Sequence, residues 1–252
     1  DRGRQVILSD IGTTRLNASA GECRDWLPAI SESVNDLVVY VRTAKIDGPN
    51  TVVAQASPCY VNADSKLPIM GFFELDMDDV DPMIAGGVLD DVVLHELGHV
   101  LGIGTLWNYR RSLLTGAGTD DPYFTGPAAR TAFLGLGGAR YLGVPVPVEN
   151  TGAFGTRDAH WRGTVFEAEL MQGFARPGGM PLSRVTVASL ADLGYGVAYD
   201  AADAFSLFAS LRLGPPTATP SPRTSLHDDV ARAPLFEVTR EGQRRLVRAA
   251  PE

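Results

Sequence analysis

No apolar run in this sequence approaches the roughly 18 residues that a membrane-spanning helix requires, so no such span is expected. Nor is there a block of lysine or arginine: 22 basic residues are scattered against 30 acidic ones, for a net charge of −8. Nucleic acid and anionic membrane surfaces are therefore excluded as expected partners. Cysteine is scarce. Cys23 and Cys59 are the only two, enough for one disulfide or else two buried thiols, and neither lies near a histidine in sequence. There is no internal repeat and no serine, cysteine or phosphate-loop constellation. The run GLGG at 135–138 follows no strand and lacks the phosphate-loop lysine. The chain opens on Asp1 without a charged-then-apolar leader pattern, as a processed or trimmed chain would.

What is present is enough for one large domain or two lobes around a cleft: 252 residues, 44% of them hydrophobic. Residues 4–9 (RQVILS) read as a short strand. Across 20–37, Trp26, Ile30, Val34 and Leu37 fall at helical spacing, which predicts an amphipathic helix backing a sheet. Strand-like runs follow at 37–46, 51–61 and 67–76. The acidic step DMDDVDP reads as the capped start of a short helix. Its spacing only weakly suggests calcium, because the glycine and distal glutamate of a calcium loop are missing. A long helix is then predicted over about 88–102, followed by an irregular Gly-, Pro- and Thr-rich insertion over 103–159 with a brief helix near PAARTAFLGL. Ser183 and Gly194 bracket a further helix that carries Val185, Leu190 and Leu193 on one stripe. From Gly214 the sequence reads as a proline-rich linker and a charged tail.

The chemistry lies in HELGHVLG, 95–102. On a helix, positions four apart share a face, so His95 and His99 can point at one ion about 2 Å away. Glu96 can reach water at that ion without ligating it, as a general base would. Gly102 can take the left-handed conformation that ends the helix beneath the metal. A third histidine is normal three residues after that glycine, but Thr105 stands there. The remaining histidines are His160, in DAHWRG, and His227, in the charged SLHDDVAR, which reads as solvated surface. A carboxylate third ligand, Glu167 or Glu169, is the alternative, as in two-histidine-plus-glutamate sites.

Taken together, HELGHVLG at 95–102, His-Trp at 160–161 and Glu-Leu-Met at 169–171 resemble the leishmanolysin-like metzincin zinc peptidases. The resemblance is good over roughly 65–200. It implies His160 as third zinc ligand across the insertion and Met171 as the methionine packed under the metal, with Met180 a weaker candidate. It also implies that the strand GFFELD rims the cleft and pairs with extended substrate. The fold expected is α+β: a two-lobe metzincin architecture with a twisted mixed sheet, a backing helix and the zinc-binding helix. Residues 1–102 would form the amino-terminal lobe, 103–213 a less regular second lobe, and 214–252 linker and tail.

The expected activity is hydrolysis of protein or peptide substrates by a zinc-activated water, with one catalytic zinc and calcium only weakly supported. The expected setting is extracytoplasmic: secreted, periplasmic or on the cell surface, and a monomer is favoured. A weakly active metalloprotease-like binding or adhesion module is the second reading. Members of the resembling group are often made with an inhibitory propeptide. A free Cys23 or Cys59 on the zinc would mark a self-inhibited precursor.

Overall fold

The computed structural model describes residues 5–109, 112–141, 145–207 and 224–250. At its centre is a five-stranded mixed sheet of β3 (Val38–Ala44), β4 (Ala54–Asn62), β5 (Pro68–Asp76), β11 (Leu235–Val238) and β12 (Arg244–Arg248), in the spatial order β12-β11-β4-β5-β3. Pairs β4/β5 and β11/β12 are antiparallel, whereas β3/β5 and β4/β11 are parallel. β4 and β5 read as nearly continuous apolar runs because both their faces are covered, and every residue of β5 is buried.

Four expectations give way here. GFFELD cannot rim a cleft, since β5 is hydrogen-bonded on both edges, to β3 and β4, and has no free ladder to offer. The backing helix over 20–37 does not form. Residues 30–34 are instead a strand, β2, antiparallel to β1 (Thr14–Ala18), and Cys23 ahead of it is bridged to Cys59 of β4. Ile30 and Val34 are both buried, because a spacing of four keeps one face of a strand as well as of a helix. The carboxy-terminal residues, read as a charged tail, supply two strands of the central sheet. The proline-rich linker lies outside the described residues. The strand expected at 4–9 is reduced to one antiparallel bridge, Ile7 to Val197.

Beyond β5, Asp76 caps helix α1 (Met77–Gly86) by accepting from the Asp78 amide. Its carboxylate also accepts from the amides of Ile46, Asp47 and Gly48, so it closes a turn rather than holding calcium. Helix α2 (Leu89–Val100) then lies on the sheet. Gly71 of β5 makes that approach possible: a Cβ there would stand 2.7 Å from Val100 Cγ1.

The insertion is less regular. Short strands β6 (Leu114–Thr115), β7 (Tyr123–Phe124) and β8 (Val146–Pro147) form a small sheet beside α3 (Pro127–Gly135). Trp107 and Trp161 stack at 4.9 Å between ring centres, which ties the start of the insertion to its end. After a single helical turn, α4 (Gly163–Phe166), and β9 (Phe174–Ala175) comes α5 (Arg184–Leu193). Ser183 caps it through the Thr186 amide and left-handed Gly194 terminates it, as the sequence indicates. β10 (Thr224–Ser225) pairs with β9.

Candidate metal centre

The second half of α2 turns His95, Glu96 and His99 inward, all fully buried. Each imidazole at the centre has its Nδ1 tied to a main-chain carbonyl: His95 to Leu170 O at 2.6 Å, His99 to Ile103 O at 2.9 Å, and His160 to Thr156 O at 3.0 Å. A carbonyl only accepts, so each Nδ1 carries the proton and each Nε2 is left with a bare lone pair. The three Nε2 atoms face one another at 3.0–3.1 Å. Three converging acceptors repel unless a cation stands among them. The separation is near the roughly 3.3 Å expected of nitrogens around a tetrahedral zinc. By donor chemistry and geometry, the set fits a zinc-like ion.

Local backbone explains how a broken motif still closes. Gly102 is left-handed, with φ +109°, and the turn it makes delivers the Ile103 carbonyl to His99. Thr105, in the position where a third ligand is normal, donates its hydroxyl to His99 O at 2.7 Å and finishes the helix end. Gly104 then lets the far end of the insertion in: a Cβ there would lie 2.1 Å from Ala159 O, next to His160. Met171 packs its thioether against Gly98, between the two helical histidines; a Cβ at Gly98 would be 2.6 Å from its Sδ. Met180 sits elsewhere, its amide on Asp91 at the start of α2.

The carboxylate alternatives are engaged otherwise. Glu169 accepts from the Met171 and Ser183 amides and from the Thr186 hydroxyl, bracing the methionine turn against α5. Glu167 ends α4 with φ +46° and lies outside the cluster. His227 is exposed, edge-on to Phe174 at 5.6 Å.

The carboxylate that does converge is Asp229, two residues further on. Its Oδ2 lies 3.0 Å from Nε2 of both His95 and His160 and 3.7 Å from that of His99. Among the described residues, His95, His99, His160 and Asp229 are the group able to share one metal, and all four are buried. The sequence carries no signal that separates Asp229 from its neighbour Asp228.

The charges interlock. Burial pushes the His95 imidazole down to about 4. Burial also opposes the charged form of His160, but the facing Asp229 carboxylate outweighs it and the net shift is upward. Asp229 is held well below the usual carboxylate range: burial works against its charge, and His160, His99 and His95 overcome that. Glu96 moves the other way, driven well up by burial and then by the Asp229 charge. Neither Glu96 oxygen has a hydrogen-bond partner, so this carboxylate is kept within the core without a structural bond.

Cys23 and Cys59 are joined in a disulfide, so neither thiol is free to reach the metal. No curated protein matches the chain. The pattern of the leishmanolysin peptidases matches residues 27–209, which takes in the helix of His95 and His99, the insertion, His160 and Met171 but stops short of Asp229. By that match, the chain belongs to the leishmanolysin family of metallopeptidases.

Proposed function

We propose that this protein is a zinc endopeptidase in which His95, His99 and His160 hold the ion and Glu96 is the general base. The observation that carries the reading is the convergence of three Nε2 lone pairs, each fixed by a carbonyl on its own Nδ1. Such outer hydrogen bonds set ring orientation and ligand basicity. When bound, zinc lowers the pKa of a water and polarises the peptide carbonyl. The chain's residues do the rest. Glu96, with neither carboxylate oxygen engaged in a hydrogen bond, takes a proton from the attacking water. It then passes that proton to the leaving amine nitrogen. Met171 and Gly98 pack the floor beneath the histidines, and Glu169 holds that floor to α5.

The two-lobe arrangement with the cleft between lobes belongs to the same proposal, supported by a site drawn from α2 on one side and residues 156–171 on the other. An extracytoplasmic setting is supported by the Cys23–Cys59 disulfide, a bond that persists in oxidising compartments. No helix among the described residues is long and apolar enough to cross a membrane. Substrates would be proteins or peptides.

A second reading has one observation in its favour: with Asp229 the site counts four protein donors, the number of a closed structural zinc rather than a hydrolytic one. The test of the main reading is zinc affinity by chelator competition for wild type and His160→Ala. The variant should bind zinc more weakly by well over the roughly 100-fold that loss of an outer-shell partner costs. Unchanged affinity would remove His160 from the site and the proposed mechanism with it.

A further inference from the structure

A hydrolytic metal must meet substrate, yet His95, His99, His160, Glu96 and Asp229 are all 0% exposed. One stretch of chain, residues 224–233, crosses the site. Its first residues pair as β10 with β9, and the Leu226 amide donates to Gly173 O at 3.1 Å, just past the methionine turn. The Asp228 amide then donates to the Thr156 hydroxyl at 3.0 Å, beside the carbonyl that orients His160. Asp229 turns into the histidines. The segment next meets the edge of β4 that β5 does not use. Asp229 O accepts from the Ala56 amide at 2.7 Å, and the Ala231 amide donates to Ala56 O at 2.8 Å, a parallel bridge centred on Val230. It continues into β11, which stays on β4.

The fit is close. Gly155 has φ +92°, and a Cβ there would be 2.7 Å from Asp228 Cα, so only glycine lets the two backbones pass. Leu226, Ala231 and Ala233 are buried in the crossing. An extended segment that bonds to a strand edge on one side and to the wall after the methionine turn on the other occupies the space a peptide substrate would need.

We propose that residues 224–233 are a built-in strap that fills the substrate groove and that Asp229 is a fourth metal ligand, so the chain as folded here is latent. The proposal rests on the peptidase reading above and adds to it the state of the site. Two features separate it from a permanently closed structural centre. A structural site has no use for a second buried carboxylate, yet Glu96 stands there with both oxygens unpartnered. The strap also lies outside the stretch that matches the leishmanolysin peptidases, so the three histidines and Glu96 form a complete hydrolytic set without Asp229. Moving the strap frees one coordination position next to Glu96.

The test uses the full chain loaded with cobalt in place of zinc, with acetohydroxamate as the probe of an open position. Wild type, Asp229→Ala and Asp229→Asn are compared by visible absorption and by hydrolysis of an unfolded protein. The wild-type spectrum should ignore the probe, while both variants should respond to it. Hydrolysis should rise above the wild-type level in both variants once the fourth position is open. Asp229→Asn keeps the side-chain shape and serves if the alanine variant does not fold. A wild-type spectrum that already responds to the probe overturns the strap. So does loss of cobalt from both variants, which would make Asp229 a permanent ligand. If the variants bind the probe but cleave nothing, the ligand and the strap both stand, the backbone bonds of residues 224–233 still closing the groove to peptide.

Discussion

Glu74 and Glu96 are both glutamates with almost no exposed surface, and the fold treats them oppositely. Glu74, in the middle of β5, is 1% exposed and gripped on both oxygens: Arg24 Nε donates to one and Arg42 Nε to the other, each at 2.7 Å. The grip extends outward, since the Arg42 guanidinium lies 4.6 Å over the Trp26 ring. Glu96, 0% exposed on α2, has no hydrogen-bond partner at all and faces another carboxylate across the histidines. One acid holds two strands and a loop together; the other is held by its surroundings in a position that costs stability. Buried charge with partners points to architecture, whereas buried charge without them points to chemistry.

That contrast can be pressed from both ends. Glu96→Gln should lower peptide hydrolysis about 10²- to 10⁴-fold, read in the Asp229→Ala chain, while leaving the urea midpoint unchanged or higher. A clear loss of stability in this variant would put Glu96 in the same class as Glu74. Glu74→Gln should do the reverse: an unfolding free energy lower by about 2 kcal/mol in urea titration, less than a fully sequestered pair because both arginines are partly exposed, with metal affinity unchanged.

Glu237 of β11 offers the smallest effect and an intermediate case. It bonds Tyr109, Arg245 and Lys66, and these partners overcome burial and hold its carboxyl down to about 2, below the ordinary 4.5. A carboxyl lowered by folding contributes its stability fully above about 4.5 and loses it as the pH falls toward about 2. Glu237→Gln should therefore flatten the fall of stability across that window, measured as urea midpoint against pH. A slope equal to wild type would show that the tail strand adds no acid sensitivity.

How much of this is legible in the sequence depends on the range of the interaction. Ser183, Gly194 and Asp76 declare their helix ends through bonds to residues at most four positions away, and HELGHVLG declares a metal helix in the same way. His160 became readable only through a known pattern, since nothing local distinguishes it from His227 beyond its neighbours. The second strand of the hairpin at 14–34 resembles a helix in sequence because Ile30 and Val34 satisfy two periodicities at once. The disulfide that draws Cys23 onto β4 reaches beyond the window in which spacing is informative. Asp229 was invisible for a different reason. Its inward orientation is set by pairing with Ala56, more than a hundred residues earlier, and by Gly155 passing Asp228. Until those contacts exist, two adjacent aspartates are equivalent.

The contact between Gly104 and Ala159 reaches past the site it serves. Because the two ends of the insertion touch, the intervening residues are, for polymer purposes, a closed loop whose anchor points do not move when its contents change. Lengthening such a loop is inexpensive: each doubling adds only about 0.6 kcal/mol of closure entropy. The middle of that stretch can therefore be extended or shortened without disturbing the histidines, provided residue 104 keeps no side chain and the Ile103 and Thr156 carbonyls stay on His99 and His160. The setting of the clustered histidines and the length of the insertion are in this sense separately adjustable parts of one chain.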